Sequence, residues 1–261
     1  MTVAGVKSMP AEKEEQILAR RFLDLARTAD NKYINTYSDF LNLSEISLFQ
    51  SVQHTLPNIN YELFGGFPHA ERKVLCFYGD TSVKAFSDYI HCIRIVPTNK
   101  KFSDDLKHPD FLGAILNLGI DRSKVGDILV EEKEGYVYVL SSISRFILDN
   151  LEKVKHTNVK LELVEEGDMT ITPNFTTIRG TVSSARLDSI LALGLHVSRA
   201  NTSDLIAAKK VYVNSKIVEH GSYNLKENEN ISVREYGKFI YQGLEQETKK
   251  GRYFVTLLKY T

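Results

Sequence analysis

The segment SARLDSILALGLHVSRANTSDLIAAKKVYVNSKIV, from Ser184 to Val218, decides how the chain is read. Leu187, Ile190 and Leu191 recur at helical spacing, and Leu205 and Ile206 do so in a second short helix. Gly194 to Val197 reads as the turn between them, with Ser198 as the N-cap of the second helix. Two β-type runs follow, Val211 to Val213 and Ile231 to Val233. Arg199 is the chemically odd residue. It falls in the first turn of the second helix, where the macrodipole disfavours a cation by a few tenths of a kcal/mol. An outside phosphate would be drawn by both the free helix N–H groups and the guanidinium. Arg186, Lys209, Lys210 and Lys216 crowd into the same short module, and a solvated basic face is the plainer alternative.

Arg186-Leu-Asp188, Ser198-Arg199, Leu205-Ile206 and Val211-x-Val-Asn214 give the segment from about Ser184 to Phe239 its resemblance to an S4 domain, a small αL RNA-binding module. It departs from that pattern at three places. Lys209 and Ser215 stand where glycine is usual, and Thr202 where a small helix residue is usual. Lys209 is therefore expected at positive φ, at a cost of roughly 1 kcal/mol.

The whole chain sets bounds on this reading. Its 261 residues are 43% hydrophobic and 25% charged, an ordinary globular composition, and 33 Lys+Arg balance 33 Asp+Glu. Any nucleic-acid binding must then come from a local face and not from global charge. Cys76 and Cys92 form no CxxC pattern and are expected as buried small hydrophobes in a reducing cytosol. No apolar run reaches membrane-spanning length, and the start at Met1 to Lys7 reads as frayed, without a signal-peptide h-region.

In chain order, Pro10 to Ala29 predicts an amphipathic helix with Ile17, Leu18, Phe22 and Leu25 on its apolar stripe. Further helical stretches are expected at Asp39 to Leu43 and Ser44 to His54, then a strand at Tyr61 to Phe64. Val74 to Tyr78 and Ile90 to Val96 read as strands, Asp110 to Leu118 as a helix with Gly119 as its C-cap. A hairpin is expected from Asp127–Val130 to Tyr136–Leu140 across Lys133 to Gly135, followed by a helix at Ser144 to Val154 and a strand at Val159 to Val164. From Ile90 to Val164 the order β-α-β-β-α-β is that of a ferredoxin-like, split βαβ sheet. An RRM shares that topology, but its aromatic signature is missing, so Tyr136 and Tyr138 are read as ordinary strand aromatics sooner than as base-stacking groups. Glu165 to Asp168 and Thr172 to Asn174 form a hinge, and Tyr253 to Leu258 a terminal strand behind a basic turn at Lys249, Lys250 and Arg252. The expected architecture is α+β: a helical unit at 1–70, a ferredoxin-like domain at 71–167, and the S4-like module with a C-terminal hairpin at 176–261.

Taken together with Asp110-Phe-Leu-Gly113, Lys124-Val-Gly-Asp-Ile128 and Ser232 to Phe239, this order resembles the bacterial YlmH family over nearly the entire chain. The resemblance implies a cytoplasmic RNA-binding protein acting on large ribosomal subunits obstructed by stalled peptidyl-tRNA. It implies rRNA or tRNA as partners and no cofactor.

Enzyme readings find little in the residues. Arg186-Leu-Asp188 superficially matches the catalytic RLD of pseudouridine synthases, but Asp188 lies on the first module helix, where pairing with a nearby basic residue is expected of it. A synthetase core and a Gly-rich methyltransferase loop are both missing. His69, Cys76, His91 and Cys92 lack the tight ligand pairs of a zinc site. Ser141-Ser142 and Ser183-Ser184 read as helix caps with no adjacent His–Asp partner. The expectation is a non-enzymatic adaptor. Arg186 and Arg199 would make its main charged contacts, Ser198 the cap, Lys209, Lys210 and Lys216 phosphate neutralisation, and Asn214 a polar contact. An RNA-modifying enzyme with its site in the Phe64–Val164 region, or a division-associated scaffold using the N-terminal helices, are the other readings.

Overall fold

In the computed structural model, which describes residues 11–68, 70–80, 86, 88–164 and 175–260, the N-terminal amphipathic pattern is one helix, α1 (Ala11–Lys32). Phe22, Ala26 and Ala29 are fully buried along its inner stripe, while Ile17 stays half exposed. Pro10, His69, the start at Met1 to Lys7 and the hinge at Glu165 to Asp168 and Thr172 to Asn174 lie outside the described residues. The chain divides into two compact units, Met1–Thr170 and Ile171–Thr261.

The helix expected at Asp39 to Leu43 is instead a strand, β1 (Thr36–Leu41). Thr36, Ser38 and Phe40 alternate into the interior, and the Ser38 hydroxyl accepts the Leu75 N–H at 2.9 Å. Asn42 could not sit inside a helix because it starts the next one. Its side chain caps α2 (Leu43–Val52) in a capping box with Glu45. Ile46 and Phe49 are the buried residues of α2, and a short 3-10 turn, Gln53–Thr55, follows. β2 (Tyr61–Phe64) and β3 (Lys73–Phe77) complete a three-stranded sheet in the order β1-β3-β2. The N-terminal stretch thus carries a sheet as well as helices. Position 70 falls between β2 and β3, which pair from Tyr61↔Phe77 to Phe64↔Val74, so the segments on either side share one unit.

The second sheet is built from β4 (Ile90–Pro97), α3 (His108–Leu116), β5 (Val125–Glu131), β6 (Glu134–Leu140), α4 (Ser141–Asn150), β7 (Lys153–Val154) and β8 (Thr157–Val164). Its order β5-β6-β4-β8-β7 is the ferredoxin-like arrangement, with the short β7 added at one edge. Gly119 takes φ +83° just past α3, the left-handed exit expected of it. The hairpin turns on Glu132-Lys133 at φ +45° and +71°, not across Lys133 to Gly135. Gly135 belongs to β6, where a Cβ would lie 2.6 Å from the Phe111 ring. α4 ends at Asn150, sooner than read, because Lys153 and Val154 pair with Asn158 and Thr157.

The two faces of this sheet are both buried. Ile93, Ile95, Val137 and Val139 pack with Phe111, Ile115 and Ile147 of α3 and α4. Cys92, Tyr138 and Leu140 pack on the other side against Phe40, Phe67 and Val74. The Phe67 and Tyr138 rings lie 5.1 Å apart, and Gly66, at φ +98°, leaves room that a Cβ would take away, 2.1 Å from the Tyr138 ring. Arg72 ties the layers. Its guanidinium donates to Phe40 O at 2.8 Å and Val125 O at 3.0 Å, while Asp127 accepts the Glu71 and Arg72 N–H groups at 2.6 and 3.0 Å.

The second unit holds β9 (Phe175–Val182), α5 (Leu187–Leu195), α6 (Arg199–Ala207), β10 (Val211–Val213), β11 (Lys216–Ile217), β12 (Asn230–Val233), β13 (Gly237–Glu247) and β14 (Tyr253–Tyr260). Its six strands run β11-β10-β12-β13-β14-β9. Leu187, Ile190, Leu191 and Ile206 of the two helices form one core with Val211, Val213, Ile231, Val233, Phe239 and Leu257. β9 pairs with β14 from Phe175↔Tyr260 to Val182↔Tyr253, and so delivers the chain to the start of α5. Among the described residues no helix is long and apolar enough to cross a membrane.

Candidate nucleic-acid interface

The start of α5 is closed to ligands by its own chain. Leu187 N–H donates to Tyr223 O at 2.8 Å and Asp188 N–H to Gly221 O at 3.0 Å, so first-turn donors are spent on the neighbouring loop. Arg186, the N-cap, forks onto the Asp188 carboxylate, Nε to Oδ1 at 3.1 Å and Nη2 to Oδ2 at 2.7 Å. The Arg186 guanidinium beside it, followed by the Ser189 hydroxyl, holds the Asp188 carboxyl below the ordinary carboxylate range. Asp188 thus has the basic partner expected of it.

The start of α6 is different. The Ser198 hydroxyl oxygen accepts the Asn201 N–H at 3.2 Å, the N-cap read from the sequence, and its O–H donates to Asn201 Oδ1 at 2.9 Å. Arg199 follows as the first helical residue and is exposed. Its Nη2 donates to Ser189 Oγ at 2.7 Å and to Ser183 Oγ at 3.5 Å, and among the described residues no carboxylate pairs with it. Hydroxyl acceptors orient a guanidinium without neutralising it. Thr202, fully buried, anchors the turn below by donating to Arg199 O at 2.8 Å, which is why a residue larger than usual fits there.

The remaining candidates lie beyond the other end of α6. α6 itself, the nine residues Arg199–Ala207, is about 13 Å long, and Lys209 lies two residues past its end. Lys209 takes the left-handed conformation expected at that position, φ +55°, and its Nζ pairs with Glu219 at 2.7 Å. Lys210 Nζ pairs with Glu235 at 2.8 Å. Asn214 and Ser215, at φ +50° and +66°, form the turn into β11. The Asn214 side chain accepts the Asn230 N–H at 3.0 Å and donates to Glu229 at 3.1 Å, so it is occupied in holding β10 to β12. Lys216 is exposed on β11 without an ion pair among the described residues. Arg186 and Arg199 are therefore linked through Asp188 and Ser189, whereas the lysines form a second, mostly neutralised group. Arg252, in the basic turn, is spent on Thr181, whose hydroxyl it reaches at 3.0 Å and whose carbonyl it also bonds.

Ser183 and Ser189 were missed as site residues by sequence reasoning. A serine inside an apolar helix stretch was the available signal, and its partner ten positions on is set only by how α5 meets α6.

Among the described residues of the first unit, His91 Nδ1 lies 2.9 Å from Ser144 Oγ, a Ser–His pair that the sequence hid. Ser144 is buried and donates its proton to Ser141 O at 2.9 Å, so the imidazole donates to the hydroxyl and does not deprotonate it. Burial pushes the Cys76 thiol up to about 11 and the Cys92 thiol up to about 12, leaving both protonated near neutrality. Among the described residues no cluster of three or more His, Cys, Asp or Glu could hold a metal ion.

A family model described as "Putative RNA-binding domain in YlmH" matches residues 85–168, and the S4 domain matches 185–231. The chain is 28% identical over 248 residues to "Ribosome-associated protein quality control protein P2" of Bacillus subtilis (strain 168), covering 94% of this chain and 95% of that one. The solved structure "Cell division protein ylmH from Streptococcus pneumoniae" aligns at 24% identity with a TM-score of 0.48, over 63% of this chain and 99% of that one.

Proposed function

Since the chain belongs to the YlmH family, we propose that it is a non-enzymatic, cytoplasmic RNA-binding adaptor of ribosome-associated quality control. It docks structured rRNA or tRNA through the 176–261 module, on large ribosomal subunits that carry stalled peptidyl-tRNA. The observation that carries this reading is Arg199, a guanidinium fixed by hydroxyls at the N-terminal end of α6 and left without a carboxylate partner among the described residues. A phosphate there would meet an oriented, uncompensated cation together with the positive end of a helix dipole. Arg186 adds a second guanidinium through the Asp188–Ser189 link, Lys216 an exposed charge, and Lys209 and Lys210 can exchange exposed carboxylate partners for phosphate at little cost.

Co-sedimentation with separated bacterial ribosomal subunits at low salt tests the reading. The full-length protein should pellet with the large subunit, and more so when peptidyl-tRNA is retained on it. Recovery in the supernatant with both subunits would refute ribosome docking, and pelleting with the small subunit would refute the choice of subunit.

A further inference from the structure

We infer that Ser189 is a positioning residue for Arg199: its buried hydroxyl aims the guanidinium at the RNA backbone while Asp188 fixes the direction of its proton. This rests on the proposed RNA site at the start of α6. Ser189 is only 5% exposed, in a helix whose Leu187, Ile190 and Leu191 are buried as well. A buried hydroxyl in that company calls for partners, and it has two. Ser189 Oγ lies 3.2 Å from Asp188 Oδ1, a carboxylate oxygen that can only accept, so the hydroxyl proton goes there. The lone pairs that remain face Arg199 Nη2 at 2.7 Å. Asp188 in turn has its charge met by the Arg186 fork.

The consequence is a division of labour. A carboxylate in place of Ser189 would hold Arg199 as firmly but would neutralise it and compete with phosphate. A hydroxyl whose proton is already committed offers Arg199 an acceptor and no charge. Only one Arg199 nitrogen is taken by the two serines, Ser189 at 2.7 Å and Ser183 at 3.5 Å, which leaves the rest of the fork for a ligand.

The test is a double-mutant cycle on the full-length protein, with purified bacterial rRNA as the probe in a filter-binding assay. Ser189→Ala should weaken binding roughly ten-fold, the effect of losing one hydrogen bond to a charged group. In an Arg199→Ala background the same change should have no further effect, because nothing is left to aim. Ser189→Thr, which keeps the hydroxyl, should restore most of the affinity, with circular dichroism confirming that each variant is folded. If Arg199→Ala weakens binding while Ser189→Ala does not, or if the two losses add, the positioning role is wrong and the site stands. If Arg199→Ala itself leaves binding unchanged, the site reading fails instead.

Discussion

Lys209 Nζ lies 2.7 Å from Glu219 Oε1, and the same lysine bends its backbone into the left-handed region at φ +55°. The ion pair joins two exposed side chains and is worth little. The backbone strain is the larger quantity, since a non-glycine residue at a left-handed helix exit costs roughly 1 kcal/mol. Lys209→Gly is therefore expected to stabilise the protein by about 0.5–1 kcal/mol, read as a higher melting temperature. rRNA affinity should fall at the same time, because one cation is removed. A melting temperature that drops would show that the Glu219 contact outweighs the strain.

Tyr138 has an RRM-like strand position but a core role. It is 2% exposed, and Phe67 covers it at 5.1 Å between ring centroids. Tyr138→Ala should cost about 3–5 kcal/mol in urea denaturation, as for other buried aromatics. Tyr136→Ala, at a half-buried position, should cost much less. An inexpensive Tyr138→Ala that instead abolished rRNA binding would overturn this assignment.

Glu134 supplies the pH dependence. Burial opposes its charge but is outweighed by hydrogen bonds from Lys100 and Arg94, at 2.6 and 2.8 Å, which hold the carboxyl below the usual range. Its folded pKa being lower than the unfolded value of about 4.3, the stabilisation is present above that value and is lost as pH falls through the folded one. Glu134→Gln should thus be less stable than the parent by about 1–2 kcal/mol at pH 7, discounted for the partly exposed partners. Melting curves at pH 7 and pH 3.5 should show the difference shrinking at the lower pH. A constant difference would mean that the carboxylate charge is not the cause.

The legible parts of this chain were those with local causes. Ser198 as an N-cap and the Asp188 partner follow from side chains acting within a few residues, and the left-handed Lys209 follows from the resemblance to an S4 domain, which usually has glycine there. The ferredoxin-like order was also legible, because its strands and helices have clean periodicities. What escaped was non-local. Asp39-Phe-Leu looks helical until β3, beginning at Lys73, pairs with it. β9 has its partner in β14 at the far end of the module. The Glu132-Lys133 turn has no glycine or asparagine to announce its two positive φ values. The Ser189–Arg199 bond depends on two helices meeting, which no spacing rule supplies.

The most direct measurement of the central claim is the salt dependence of rRNA binding by the parent and by Arg199→Ala. If Arg199 neutralises one phosphate, the slope of log affinity against log salt should be shallower in the variant by about 0.9 on duplex-like RNA, or about 0.7 on single strands. Affinity should fall along with it. An unchanged slope and an unchanged affinity would remove Arg199, and with it the start of α6, from the RNA-binding surface.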